Sequence, residues 1–288
     1  MGAQGPDPLC YIVLGKDSKD YSYFCSRTHD TNTQMLLINM VHYVKQHLTK
    51  ETYSYLIGFL THYALDVSIH PYIYYNVGEY KKNKPETDIY KGLHLQFERS
   101  VDCVIIEEDT KKKAHKLKLH KTQFLTGHMP QEVADIMGYT LKQTYGKDNG
   151  AFMFKRSVKT MYKNVKHMLY DPFGIKKQFY KIADLFLKQD LFIKDVSMFN
   201  HIKNYDYLNL EHKTWHHPVT NEAFTKSVYD LVEEGYTFAK DITSKVHRYI
   251  FDNAKMDLET VFTNLSFNSG VDCNHHNAMQ HFKAYNIK

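Results

Sequence analysis

Apolar side chains recur at three- and four-residue steps along most of the chain. Leu36, Leu37, Met40, Val41, Val44 and Leu48 set the pattern, and period-two alternation is rare. This spacing predicts an all-α, multi-helix bundle. Asp30 to Thr33 offer caps for a first long helix, and Thr49, followed by Glu51 and Thr52, opens a second that is expected to run to about His70, where Pro71 stops it. Further helices are expected near 88–109, 131–146, 152–169, 174–188 and 219–250. Lys82 to Pro85, Lys147 to Gly150 and Asp171 to Gly174 read as loops. No period of twenty to fifty residues repeats and no Pro/Gly/Ser-rich linker separates two cores, so residues 1–288 read as a single domain.

Composition narrows the class. The 288 residues carry 37 basic and 32 acidic side chains, a net +5, which excludes an acidic disordered chain and a strongly basic nucleic-acid arm. With 43% hydrophobic residues and only 13 Gly and 7 Pro, the chain has ample material for a core. Arg occurs only at 27, 99, 156 and 248, so the positive charge is mostly Lys, which argues against nucleic acid as a partner. Cys10, Cys25, Cys103 and Cys273 form no CxxC pair and read as reduced thiols. The start lacks the charged and apolar regions of a signal peptide, and Pro6 disrupts a myristoylation motif. The apolar stretches at 35–44 and 55–65 are too short to span a bilayer, so the expected location is cytoplasmic.

Candidate chemistry concentrates in one helix. His62, Asp66 and His70 are spaced i, i+4, i+8 and share one helical stripe. A helix rises about 1.5 Å per residue, so His62 and His70 start roughly 12 Å apart along the axis, which favours two metal ions over one. His94 and Glu98 repeat the i, i+4 step, with Asp102 one turn further on. Imidazole and carboxylate donors at these spacings suit zinc, and a row of ionisable groups flanked by apolar residues is costly to bury without metal or charge partners.

Gly2-Ala3-Gln4-Gly5-Pro6-Asp7-Pro8, His29-Asp30, His62-xxx-Asp66-xxx-His70-Pro71 and His94-xxx-Glu98-xxx-Asp102 together resemble the bacterial zinc-dependent phospholipase C family, in its Firmicute-type branch. Trp215-His216-His217-Pro218 and Ser266-Phe267-Asn268-Ser269-Gly270 look like late segments of the same branch. The resemblance implies the helical fold shared with the P1-type nucleases. It assigns Asp7 as a metal ligand and catalytic base, with His29, His62 and Asp66 on the same ion and Asp66 in the bridging place. His70, His94 and Glu98 are assigned to a second zinc. Familiar members hold a third zinc with an early His on an extra N-terminal helix. No His precedes His29 here, so two Zn2+ are expected and the third is not carried over.

The function so implied is a zinc-dependent phosphodiester hydrolase that cleaves a phospholipid headgroup or a related small phosphodiester through a metal-activated water, with peripheral membrane contact. The alternative is a noncatalytic helical protein stapled by metal. Glu107 to Lys121, rich in Lys, reads as a solvated loop or helix end, although it would also suit an anionic membrane surface or nucleic acid. Cys273, His275 and His276 lack the frame of a metal site. His216 and His217 are expected to fix a turn before the 219–250 helix.

Overall fold

The computed structural model describes residues 1–81, 83–122, 127–186, 197–199, 201–275 and 278–283. Among these residues it is all-α apart from one two-residue-per-strand hairpin. After two short 3-10 turns, Gly2–Gln4 and Asp7–Tyr11, the chain forms α1 (Ser18–Asp30), α2 (Thr33–Gln46), α3 (Lys50–Val77), α4 (Leu93–Thr110), α5 (Leu119–Thr122), α6 (Gln131–Tyr145), α7 (Gly150–Asn164) and α8 (Ile175–Phe186). Then come β1 (Trp215–His216) and β2 (Ala223–Phe224), followed by α9 (Val228–Phe251) and α10 (Leu258–Val261).

Backbone packing divides the chain into two compact units, each assembled from separate stretches. The first holds Met1–His70, Thr126–Met161 and Asp230–Ala278; the second holds Pro71–Leu125, Tyr162–Tyr229 and Met279–Lys288. The first unit has an aliphatic core. Leu36, Leu37, Met40, Val41 and Val44 of α2 pack with Phe59, Leu60 and Tyr63 of α3, Met137 and Leu141 of α6, and Ile242 and Val246 of α9. Asn39 of α2 donates to Thr144 of α6 at 3.0 Å, which fixes the register of that helix pair. In the second unit the core is aromatic. Tyr72, Phe97, Tyr207 and Trp215 are all buried, with Phe97 and Tyr207 at 5.3 Å and Tyr72 and Trp215 at 5.5 Å between ring centres.

α3 starts where the sequence places it, because Thr49 and Thr52 cap each other. The Thr52 amide donates to the Thr49 hydroxyl at 3.1 Å and the Thr49 amide donates to the Thr52 hydroxyl at 2.9 Å. The expected stop at Pro71 is corrected: the helix continues to Val77. A proline inside a helix costs about 3 kcal/mol. Tyr72, Ile73 and Val77 beyond it are all buried, and that burial offsets the cost.

Two other boundaries are corrected. The expected 88–109 helix is a 3-10 turn over Pro85–Tyr90 followed by α4. The break falls at Gly92, whose φ of 75° is a left-handed conformation that Gly adopts without a Cβ penalty. The expected 219–250 helix begins only at Val228, because β1, β2 and their turn occupy the preceding residues. His217 does fix that turn: its Nδ1 accepts the amides of Val219 and Thr220, each at 3.2 Å. α1 had no counterpart in the apolar periodicity, since only Tyr21, Phe24, Thr28 and His29 on it are buried. The last two residues of the expected 174–188 helix lie outside the described residues, as does His276.

Reading all four cysteines as reduced thiols is corrected too. Cys10 and Cys25 are joined by a disulfide, with Cα atoms 5.2 Å apart and a sequence separation of 15, while Cys103 and Cys273 are free. Absence of a CxxC motif does not test for a bond between a 3-10 turn and a helix that fold against each other. Two thiols should therefore titrate in the denatured protein before reduction and four after it. Reduction should lower stability by about 3 kcal/mol, the loop-closure value for a ring of this size, read as a shift in the denaturant midpoint.

Candidate functional site

Asp7 is the first residue of the 3-10 turn Asp7–Tyr11, between Pro6 and Pro8, whose rings restrict the backbone on both sides. Leu9, fully buried, anchors the turn, and the disulfide ties Cys10 to α1. Gly5, just before it, has φ of 48°, and a Cβ there would fall on the His62 ring. At Gly58 a Cβ would lie 2.7 Å from the amide nitrogen of Ala3. These two glycines let the N-terminal turn lie directly on the His62-bearing stripe of α3.

In the first unit the structure brings together four of the seven expected site residues. One donor atom from each of Asp7, His29, His62 and Asp66 lies within 4.8 Å of all the others. His62 Nε2 stands 3.0 Å from Asp66 Oδ2 and 3.8 Å from Asp7 Oδ1, and His29 Nε2 stands 3.1 Å from Asp7 Oδ1. His62 Nε2 and Asp66 Oδ2 are shielded from solvent, yet neither completes a hydrogen bond of good geometry. Buried polar atoms that converge without bonding one another suit a cation held between them, and two nitrogens with two oxygens form a donor set that zinc accepts. The residues present therefore fit a zinc ion.

Backbone carbonyls orient the rings. His29 Nδ1 lies 2.6 Å from the Cys25 carbonyl, so its N–H donates there and Nε2 is left facing Asp7. His70, one turn beyond Asp66, has Nδ1 2.8 Å from the Phe267 carbonyl and 3.9 Å from Asp66 Oδ2. In the second unit His94 and Glu98 face each other along α4 at 3.0 Å, each side chain about one-third exposed at 33%. Asp102, one turn on, is exposed and receives a hydrogen bond from Arg99 at 3.0 Å.

The electrostatics follow from burial and proximity. Burial disfavours a charged His62, but the carboxylates of Asp66 and Asp7 outweigh it and raise the imidazole to about 9. His29 is also raised, because its bond to Asp7 overcomes desolvation. Asp66 is lowered despite complete burial, held ionised by His62 and His70. Without metal, the cluster is thus a charge-paired network, buried apart from Asp7.

A supporting loop was not assigned a role from the sequence. Phe267, fully buried, receives its place from both sides: its amide donates to the His29 carbonyl at 2.8 Å and its carbonyl accepts from His70. Its ring lies 5.5 Å from His29 and 4.9 Å from Tyr63. Asp30 holds the loop, accepting from Ser266 at 2.6 Å and Asn268 at 2.8 Å. The only signal for this loop was its likeness to a late family segment, because a short polar run around one Phe has no periodicity to read. Phe267→Ala should cost about 3 to 5 kcal/mol, the usual range for emptying a buried aromatic site, measured by denaturant unfolding.

No curated protein and no solved structure matches the chain. A family model described as Zinc dependent phospholipase C matches residues 2–129, which contain all seven expected ligands; the segments around Trp215 and Phe267 lie outside the match. The match covers 128 of the 288 residues, and over that stretch the chain is similar to the zinc-dependent phospholipase C family.

Proposed function

We propose that the protein is a zinc-dependent phosphodiester hydrolase of the phospholipase C type, acting on a phospholipid headgroup or a related phosphodiester. The observation that carries this reading is the convergence of Asp7, His29, His62 and Asp66, with unbonded buried donor atoms at its centre. Asp7, His29, His62 and Asp66 would hold one zinc. Bound zinc supplies Lewis acidity toward a phosphoryl oxygen and lowers the pKa of a coordinated water.

The chain's own groups do the rest. Asp7 is the one carboxylate of the cluster that reaches solvent, with a side chain 44% exposed, which supports reading it as the group that would take a proton from an incoming water. Asp66, buried and ionised, faces His62 Nε2 at 3.0 Å and would complete the donor set beside it. The Cys25 and Phe267 carbonyls fix the tautomers of His29 and His70, so neither ring must reorganise during turnover. The products are an alcohol and a phosphomonoester. The Cys10–Cys25 disulfide persists in oxidising surroundings, which weighs against the cytoplasmic placement expected from the sequence. Among the described residues no helix is long and apolar enough to cross a membrane.

The test is turnover of a chromogenic phosphodiester and of a short-chain phosphatidylcholine, before and after chelation. Activity lost with chelator and restored by zinc supports the proposal. A zinc-loaded protein inert on both substrates would leave the metals as staples and overturn it.

A further inference from the structure

We propose that α8 is a membrane-docking helix that lays its apolar face on an anionic phospholipid surface. This deepens the hydrolase reading by naming how such an enzyme would meet a lipid substrate. Ile175, Phe179, Ile182 and Phe186 follow i, i+4, i+7, i+11 spacing and form one continuous stripe. An amphipathic helix of a globular unit normally turns this stripe inward. Here, among the described residues, α8 buries none of its side chains: Phe179 is 67% exposed, and Leu185 and Phe186 are each 80% exposed. Phe173, just before the helix, adds another ring at 82% exposure. So many large apolar side chains in water within one short segment mark an interaction surface.

Charge at the base of the helix identifies the occupant. The ammonium groups of Lys118 and Lys176 both lie over the Tyr170 ring, at 5.5 and 5.9 Å. Lys121, Lys166 and Lys118 are near enough to act together on His120, which burial and these charges hold below the ordinary His value. Among the described residues none of Lys118, Lys121, Lys166 and Lys176 pairs with a carboxylate. A cluster of uncompensated lysines beside an exposed Phe/Ile/Leu stripe is complementary to lipid phosphates above an acyl boundary. It is poorly suited to a second copy of the chain, since a two-fold contact through this face would bring the lysine cluster against itself.

Flotation with vesicles tests this, using the zinc-loaded protein and vesicles of phosphatidylcholine alone or mixed with phosphatidylglycerol. Wild type should float with the mixed vesicles and less with phosphatidylcholine alone. The exposed double variant Phe179→Ser with Phe186→Ser should keep the wild-type melting temperature and lose binding by at least about tenfold. Lys118→Glu with Lys121→Glu and Lys166→Glu should abolish the preference for the anionic lipid. Both variants should retain wild-type turnover of a soluble chromogenic phosphodiester. Wild type that stays free with both vesicle types overturns docking, as does a double variant that floats unchanged or one that merely converts a dimer to a monomer in gel filtration. Flotation without turnover of any phosphodiester overturns the hydrolase reading while leaving docking in place.

Discussion

Replacing Asp66 with alanine is expected to lower zinc affinity by at least about a hundredfold, the upper end of what loss of a merely supporting residue costs a metal site. It should exceed the effect of Asp7→Ala. Asp7 is partly hydrated, whereas Asp66 is buried and faces His62 at 3.0 Å and His70 at 3.9 Å on the same helix. The variant also changes the metal-free protein. With Asp66 present, the folded His62 titrates at about 9 against an ordinary 6.5. Its proton then contributes stability that is complete below pH 6.5 and is lost as pH rises through 9, on the order of 3 kcal/mol. Without Asp66 the ring sheds its proton near neutrality rather than remain a buried lone cation, so this contribution disappears. Competition against a chromophoric chelator reads the first effect, and melts of the metal-free proteins at pH 6 read the second. Wild-type zinc affinity in Asp66→Ala would remove Asp66 from the ligand set.

Zinc affinity is also expected to rise steeply with pH, up to about pH 9. Below that value His62 carries a proton that the metal must displace, and the raised His29 contributes in the same direction. Each displaced proton weakens apparent affinity tenfold per pH unit, so binding at pH 7 should be roughly a hundredfold weaker than the plateau above pH 9. Ordinary histidines near 6.5 would instead give a plateau already at pH 7.5. Chelator competition at several pH values, with proton release measured by calorimetry, separates the two profiles. A flat profile between pH 7 and 9 would show that Asp66 and Asp7 do not hold a proton on His62.

The candidate stripe was legible because helical periodicity is short-range. His62, Asp66 and His70 share a face by spacing alone, and α3 keeps them there. Apolar periodicity likewise placed α2, α6 and α7. What escaped depends on residues far apart in the chain. The disulfide joins a turn to a helix that the periodicity did not reveal, and Phe267 meets His29 from 238 positions away and His70 from 197. Pro71 misled for a related reason, since its local cost is plain in the sequence and the burial that offsets it is not. The role proposed for Asp7 had no local signal, because Gly-Pro-Asp-Pro is turn chemistry, and it was suggested only by the family resemblance.

Cys10 and Cys25 close a loop with a sequence separation of 15, nested inside the loop that Asp7 and His29 close with a separation of 22. Two clasps on nearly the same ring of chain must be energetically coupled, because whichever forms first has already removed most of the configurational freedom the other would have to remove. Oxidation therefore favours metal capture, and by the reciprocity of a thermodynamic cycle metal capture protects the sulfur bond from thiols by the same factor. A protein maturing without zinc would be the more easily reduced, and one kept reduced would be the poorer at gathering zinc.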